Sequence, residues 1–181
     1  MRAFVAIDLP ALDAPIPVGL RPEDHLTLHF FEELPVDRIP AVVEAMSEAA
    51  GGSGPFDLEV RGTGAFPTAH RPRVVWAGVG DGAVAVRSLV DRLRAALSSR
   101  GFPTEHRPFV PHLTLARTRS PRDTAWASRF LAEPENSVRV WTRTTVSEIV
   151  LKESELLPTG ARHLVRDRVP LGRLPRPPAG P

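Results

Sequence analysis

The sequence has no cysteine and no tyrosine, and a single lysine, Lys152, among its 23 basic residues. It also lacks any apolar run near the roughly 20 residues that a membrane-spanning helix needs. Without cysteine there is no disulfide, no Cys-based zinc site and no thiol nucleophile. The shortage of Lys and Tyr explains why the sequence pI is about 10.2 although the formal net charge is only +2. Almost nothing titrates between His and Arg, so a small excess of Arg holds the pI high. Charge alone therefore does not point to a polyanionic partner. No glycine-rich phosphate loop follows a strand, which removes the Rossmann and P-loop readings. Residues 1–10 carry one basic residue and place Asp8 inside their apolar run; they read as a strand rather than a signal peptide. A cytoplasmic protein with no membrane association is expected.

The 181 residues are 42% apolar and 24% charged, enough for one domain or two small lobes with a packed core. The 20 prolines predict short elements and many turns. Strands are expected at Arg2–Leu9, His25–Phe31, Phe56–Phe66, Arg73–Val79, Val110–Arg117, Val138–Leu151 and His163–Leu171. Ala11–Leu20 reads as a loop. A helix over Asp37–Ala50, capped by Asp37, carries the stripe Ile39, Val42, Val43, Met46. A second, capped by Asp81, carries Val86, Leu89, Val90, Leu93 and Leu97 and stops at Gly101. Ser120-Pro121-Arg122-Asp123 starts a third helix, leading into Trp126 and Phe130. Strands and helices do not alternate as βαβ units, so an α+β fold with mostly antiparallel sheets is predicted.

One tetrapeptide occurs twice, His25-Leu26-Thr27-Leu28 and His112-Leu113-Thr114-Leu115, each preceded by an Arg-Pro pair. The repeat suggests a duplicated unit and two lobes related by a pseudo-twofold. Within a strand, His and Thr share one face and the two leucines the other. The leucines then enter the core, while two imidazoles and two hydroxyls turn toward whatever the lobes enclose. A neutral imidazole can take a proton from water, a protonated one can give a proton to a leaving oxygen, and the hydroxyls can donate to phosphate oxygens. That set suits phosphodiester chemistry, provided both rings reach one cleft. His25 and His29 can share a face by strict alternation, but no acid or third His is spaced to complete a zinc site. No metal and no cofactor is expected. His70, His106 and His163 read as solvated loop or turn residues.

With these motifs the sequence resembles the 2H phosphoesterases, and within them the RNA 2′,3′-cyclic phosphodiesterases, also called 2′-5′ RNA ligases. The opening segment 2–10, Gly64-Ala65-Phe66-Pro67, the segment 71–79 and Arg107-Pro108-Phe109-Val110-Pro111 carry the likeness further. The resemblance implies one bilobal domain over residues 1–173, with a central cleft between pseudo-symmetric lobes and a flexible Pro-rich tail at 174–181. It implies hydrolysis of 2′,3′-cyclic phosphate ends of RNA or small nucleotides to 2′-phosphomonoesters. His25 would be the proton donor and His112 the proton acceptor, although the symmetry of the motif taken alone allows either order. Thr27, Thr114 and Arg117 would bind phosphate, and Phe30 would stack on a base. Strict alternation puts Phe30 and Arg117 on the leucine face, so they reach the cleft only through a bulge or twist.

Two departures stand out. Only 14 residues separate Pro10 from His25, which predicts a trimmed first lobe. The family's usual Lys and Gly after the first motif are His29 and Glu32 here; an acid near the cleft mouth favours a small nucleotide over long RNA. The competing readings are a non-catalytic nucleotide- or RNA-binding module in the same cleft, and 2′-5′ RNA ligation. The sequence does not speak to oligomeric state.

Overall fold

The computed structural model describes residues 1–158 and 160–172. The described residues form two four-stranded antiparallel sheets and four α-helices. The first sheet has the order β2-β1-β7-β8, from β1 (Ala3–Asp8), β2 (His25–Phe31), β7 (Glu148–Leu157) and β8 (Gly160–Pro170). The second has the order β5-β4-β3-β6, from β3 (Phe56–Phe66), β4 (Val74–Val79), β5 (His112–Arg117) and β6 (Val140–Val146). Both motif strands, β2 and β5, thus lie at an edge of their sheet, and each pairs with the strand that precedes it. This is the α+β, two-lobed arrangement predicted from the repeat.

The leucines of the motifs are buried as alternation requires: Leu26, Leu28, Leu113 and Leu115 are all at most 3% exposed. They join one apolar core that runs beneath both sheets, closed by α1 (Ile39–Gly51) and α2 (Ala83–Ser99). Each buried leucine contributes about 1.5–3 kcal/mol relative to an exposed one. The expected stripe of α2 is fully buried. Gly101, at φ +76°, ends that helix in a left-handed cap: its N–H reaches the Ser98 carbonyl, and the Phe102 N–H reaches Leu97. α3 (Pro121–Ala132) starts on a full capping box between Ser120 and Asp123, and the short α4 (Pro134–Val138) leads into β6.

Several expectations are corrected. Neither Asp37 nor Asp81 caps a helix. Asp37 lies in a 3₁₀ turn, Val36–Arg38, that follows Pro35, and the N-cap positions of α1 and α2 fall to Arg38 and Gly82. The predicted strand Val138–Leu151 is two strands: β6 ends at Val146, and after Ser147 the chain crosses to the first sheet as β7. β7 and β8 then form one long hairpin. The short segment before β2 serves as a strap to the second sheet. The Asp13 N–H bonds the Trp141 carbonyl, Arg21 bonds Leu115, and Glu23 bonds Thr114. The tail expectation for 174–181 lies outside the described residues. Among those described, no helix is long and apolar enough to cross a membrane.

Candidate active site

The two motifs carry the same irregularity at the same place. In β2, Thr27 pairs with Ala6 but His29 pairs with Val5, so Leu28 is an extra, unpaired residue. In β5, Thr114 pairs with Trp76 and Ala116 with Val75, so Leu115 is the extra residue. Each is a β-bulge at the last position of His-Leu-Thr-Leu, and each flips the alternation beyond it. Phe30 pairs with Phe4, on the face of β1 that also carries the partners of His25 and Thr27. Arg117 pairs with Val74, on the face of β4 that carries the partners of His112 and Thr114. The bulges thus bring Phe30 and Arg117 to the His/Thr faces. The same flip sends His29 to the core side, so His25 and His29 do not share a face.

A cleft of about 980 Å³ runs between the lobes, and Thr27, Phe30, His112, Thr114, Arg117 and Glu23 line it. Phe30 is 41% exposed, with the Arg2 guanidinium 5.3 Å from its ring centre. A smaller cavity of about 340 Å³ lies away from both motifs, against Trp126 and Arg139.

The two imidazoles are held differently. Nδ1 of His112 is 2.7 Å from the Val110 carbonyl. A carbonyl only accepts, so Nδ1 carries the hydrogen and Nε2 is left with its lone pair when the ring is neutral. Phe66 stands edge-on at 5.1 Å and Trp76 at 6.2 Å. Trp76 in turn lies flat over Gly64, where a Cβ would collide with the indole.

Nδ1 of His25 is 2.9 Å from Oδ1 of Asp24, a carboxylate. Burial pushes the Asp24 carboxyl up, but the hydrogen bond with His25 and the charge of Lys152 outweigh it and hold it below its ordinary value. Lys152 Nζ itself forms an ion pair with Asp8 Oδ1 at 2.5 Å. The His25 ring is only 4% exposed. Phe4 stacks on it at 4.7 Å and His163 meets it edge-on at 5.3 Å. Its Nε2 is directed to Glu23 at the cleft wall, 3.6 Å from Oε2. The ring expected to stand open in the cleft is instead buried and covered on its faces; it is not among the residues that line the cleft, and Glu23, which does line it, stands between Nε2 and that space.

His163 is the residue that sequence reasoning misplaced. It belongs to β8, on the face that carries His25, not to a solvated turn. Burial and the neighbouring His25 push the His163 pKa below its ordinary value. His70 and His106 are exposed, as expected. His29 is 8% exposed, and burial together with Arg94 lowers its pKa to about 4.

Comparison with known proteins agrees with the paired motifs. The 2′-5′ RNA ligase superfamily matches residues 17–154. An Aeropyrum pernix protein named RNA 2′,3′-cyclic phosphodiesterase is 38% identical over 136 residues, 75% of each chain. A Methanothermobacter thermautotrophicus protein of the same name is 32% identical over 176 residues, 88% of this chain and 93% of the other. A crystal structure from Thermus thermophilus superposes with a TM-score of 0.70 at 27% identity, covering 95% of this chain and 98% of that one. E. coli LigT complexed with 3′-AMP superposes with a TM-score of 0.62 at 25% identity and the same coverage. The chain belongs to the 2′-5′ RNA ligase superfamily, among the 2H phosphoesterases.

Proposed function

We propose that this protein is an RNA 2′,3′-cyclic phosphodiesterase, which hydrolyses 2′,3′-cyclic phosphate ends of RNA or small nucleotides to 2′-phosphomonoesters without a metal ion. The observation that carries the reading is the unlike pair of Nδ1 partners, an anionic carboxylate behind His25 and a neutral carbonyl behind His112. An anion at Nδ1 favours a ring with two protons, which can donate from Nε2; a carbonyl at Nδ1 leaves Nε2 free to accept.

His112 is then the base. Its Nε2 takes a proton from water as the water oxygen bonds to phosphorus. His25 is the acid. Its Nε2, at the Glu23 edge of the cleft, gives a proton to the 3′ oxygen as the P–O3′ bond breaks. The product keeps phosphate on the 2′ oxygen, and the protons balance when the two rings exchange states through solvent. Negative charge gathers on the non-bridging oxygens in the transition state, where Thr27, Thr114 and Arg117 donate to them. Phe30 stacks on the base. The relatives named RNA 2′,3′-cyclic phosphodiesterase, and the likeness to LigT, crystallised with 3′-AMP, support a nucleotide in this cleft.

The test is turnover of adenosine 2′,3′-cyclic phosphate with excess chelator, separating the 2′- and 3′-monophosphates. Adenosine 2′-phosphate as the sole product is expected. Loss of activity on chelation, or a 3′-phosphate product, would defeat the proposal.

A further inference from the structure

Glu23 lies on the strap, two residues before His25, and its N–H bonds the Thr114 carbonyl at 2.9 Å. That bond pins the residue against β5, between the two motif strands. From there its carboxylate spans the lobes. Oε2 is 3.6 Å from Nε2 of His25, and Oε1 is 3.0 Å from Nη2 of Arg117. The side chain is 28% exposed and lines the cleft. Asp24 faces the opposite side of the His25 ring, at Nδ1, so it is Glu23, and not the other cleft glutamates Glu32, Glu33 and Glu105, that puts negative charge between Nε2 and Arg117. A carboxylate thus occupies the ground between the imidazole and the guanidinium that a substrate phosphate would engage.

Resting on the function proposed above, we infer that Glu23 is a specificity-determining residue that sorts ligands by phosphate charge, accepting the singly charged cyclic diester and expelling the doubly charged monoester it becomes. The cationic and hydroxyl donors of the cleft attract either ligand, and the dianion more strongly. Alone they would leave the enzyme bound to its product. Coulomb energy scales with ligand charge, so a carboxylate in the same place opposes the dianion about twice as strongly as the monoanion. The second ionisation of a phosphomonoester lies near pH 6, so above pH 7 the product carries close to two charges.

The experiment is calorimetric titration at pH 8 of the wild-type protein and Glu23→Gln with two ligands differing by one charge, adenosine 2′-phosphate and its methyl phosphodiester. Removing a carboxylate that costs the monoanion about threefold in affinity should gain about tenfold for the dianion, because doubling an energy squares the affinity ratio. The expected result is about threefold tighter binding of the methyl ester and about tenfold tighter binding of the monophosphate. Glu23→Ala, which also removes the charge, should show the same difference between ligands, and thermal melting checks that both variants fold. An equal change for the two ligands overturns the inference, as does weaker binding of both, which would make Glu23 an anchor for Arg117. If neither ligand binds either protein, the proposed function falls and this inference with it.

Discussion

Oδ1 of Asp24 stands 2.9 Å from Nδ1 of His25, whereas the matching nitrogen of His112 meets only a backbone carbonyl. The segments that lead into the two motifs part company at this point: Asp24 precedes the first histidine, and Pro111 precedes the second. Removing the Asp24 charge while keeping its shape should act on the acid alone. Asp24→Asn is expected to lower kcat by about 10- to 100-fold, because His25 loses the anionic partner that holds its ring for proton donation. Steady-state kinetics of both proteins checks this.

Phe30 and Arg117 reach the cleft only through the two bulges, so they should act on binding and on transition-state charge respectively. Phe30→Ala is expected to raise KM for a cyclic mononucleotide by about 5- to 100-fold, the range of one base–aromatic stack, and to leave kcat nearly unchanged. Arg117→Lys keeps the charge but loses the planar fork, and should lower kcat more than it raises KM. Steady-state kinetics separates the two patterns.

Gly64 lets the Trp76 indole lie flat beside the wall of His112. Gly64→Ala places a methyl where the ring now sits, and the ring must shift. A loss of about 1–3 kcal/mol in stability is expected, with a fall in kcat out of proportion to the change in melting temperature. Denaturant unfolding and turnover on the same preparation test it.

The core-facing His29 offers a check that does not depend on turnover. Its pKa is about 4 in the folded protein against 6.5 as the ordinary value. Between those limits the unfolded chain binds the proton and the folded one does not. Stability therefore falls as pH is lowered from about 6.5 to about 4, by on the order of 3 kcal/mol, and this contribution is flat below. His29→Leu should remove that part of the slope. Urea midpoints of both proteins from pH 7 to pH 4 read it directly.

Much of this site was legible in the sequence because the repeated tetrapeptide writes its own geometry. Alternation alone puts His25 and Thr27 on one face, His112 and Thr114 on one face, and the four leucines in the core. Alternation failed where the backbone departs from it. A bulge at Leu28 or Leu115 leaves no mark on residue type, since an unpaired leucine and a paired one are equally apolar. Strict period 2 therefore misassigned His29, and it could not place Phe30 or Arg117. His163 was missed for a different reason: its neighbours in sequence are polar and exposed, and its contacts with Phe4 and His25 come from other strands. The helix caps were misread because a 3₁₀ turn and Gly82 took the positions that Asp37 and Asp81 could have filled.

The central claim is that two histidines divide the work of acid and base on one phosphate. The most direct measurement is kcat/KM for adenosine 2′,3′-cyclic phosphate with His25→Ala and His112→Ala, beside their binding of adenosine 2′-phosphate. Each replacement should lose about 10²–10⁴ in rate while the nucleotide still binds. Turnover at the wild-type rate with either histidine gone would contradict the account.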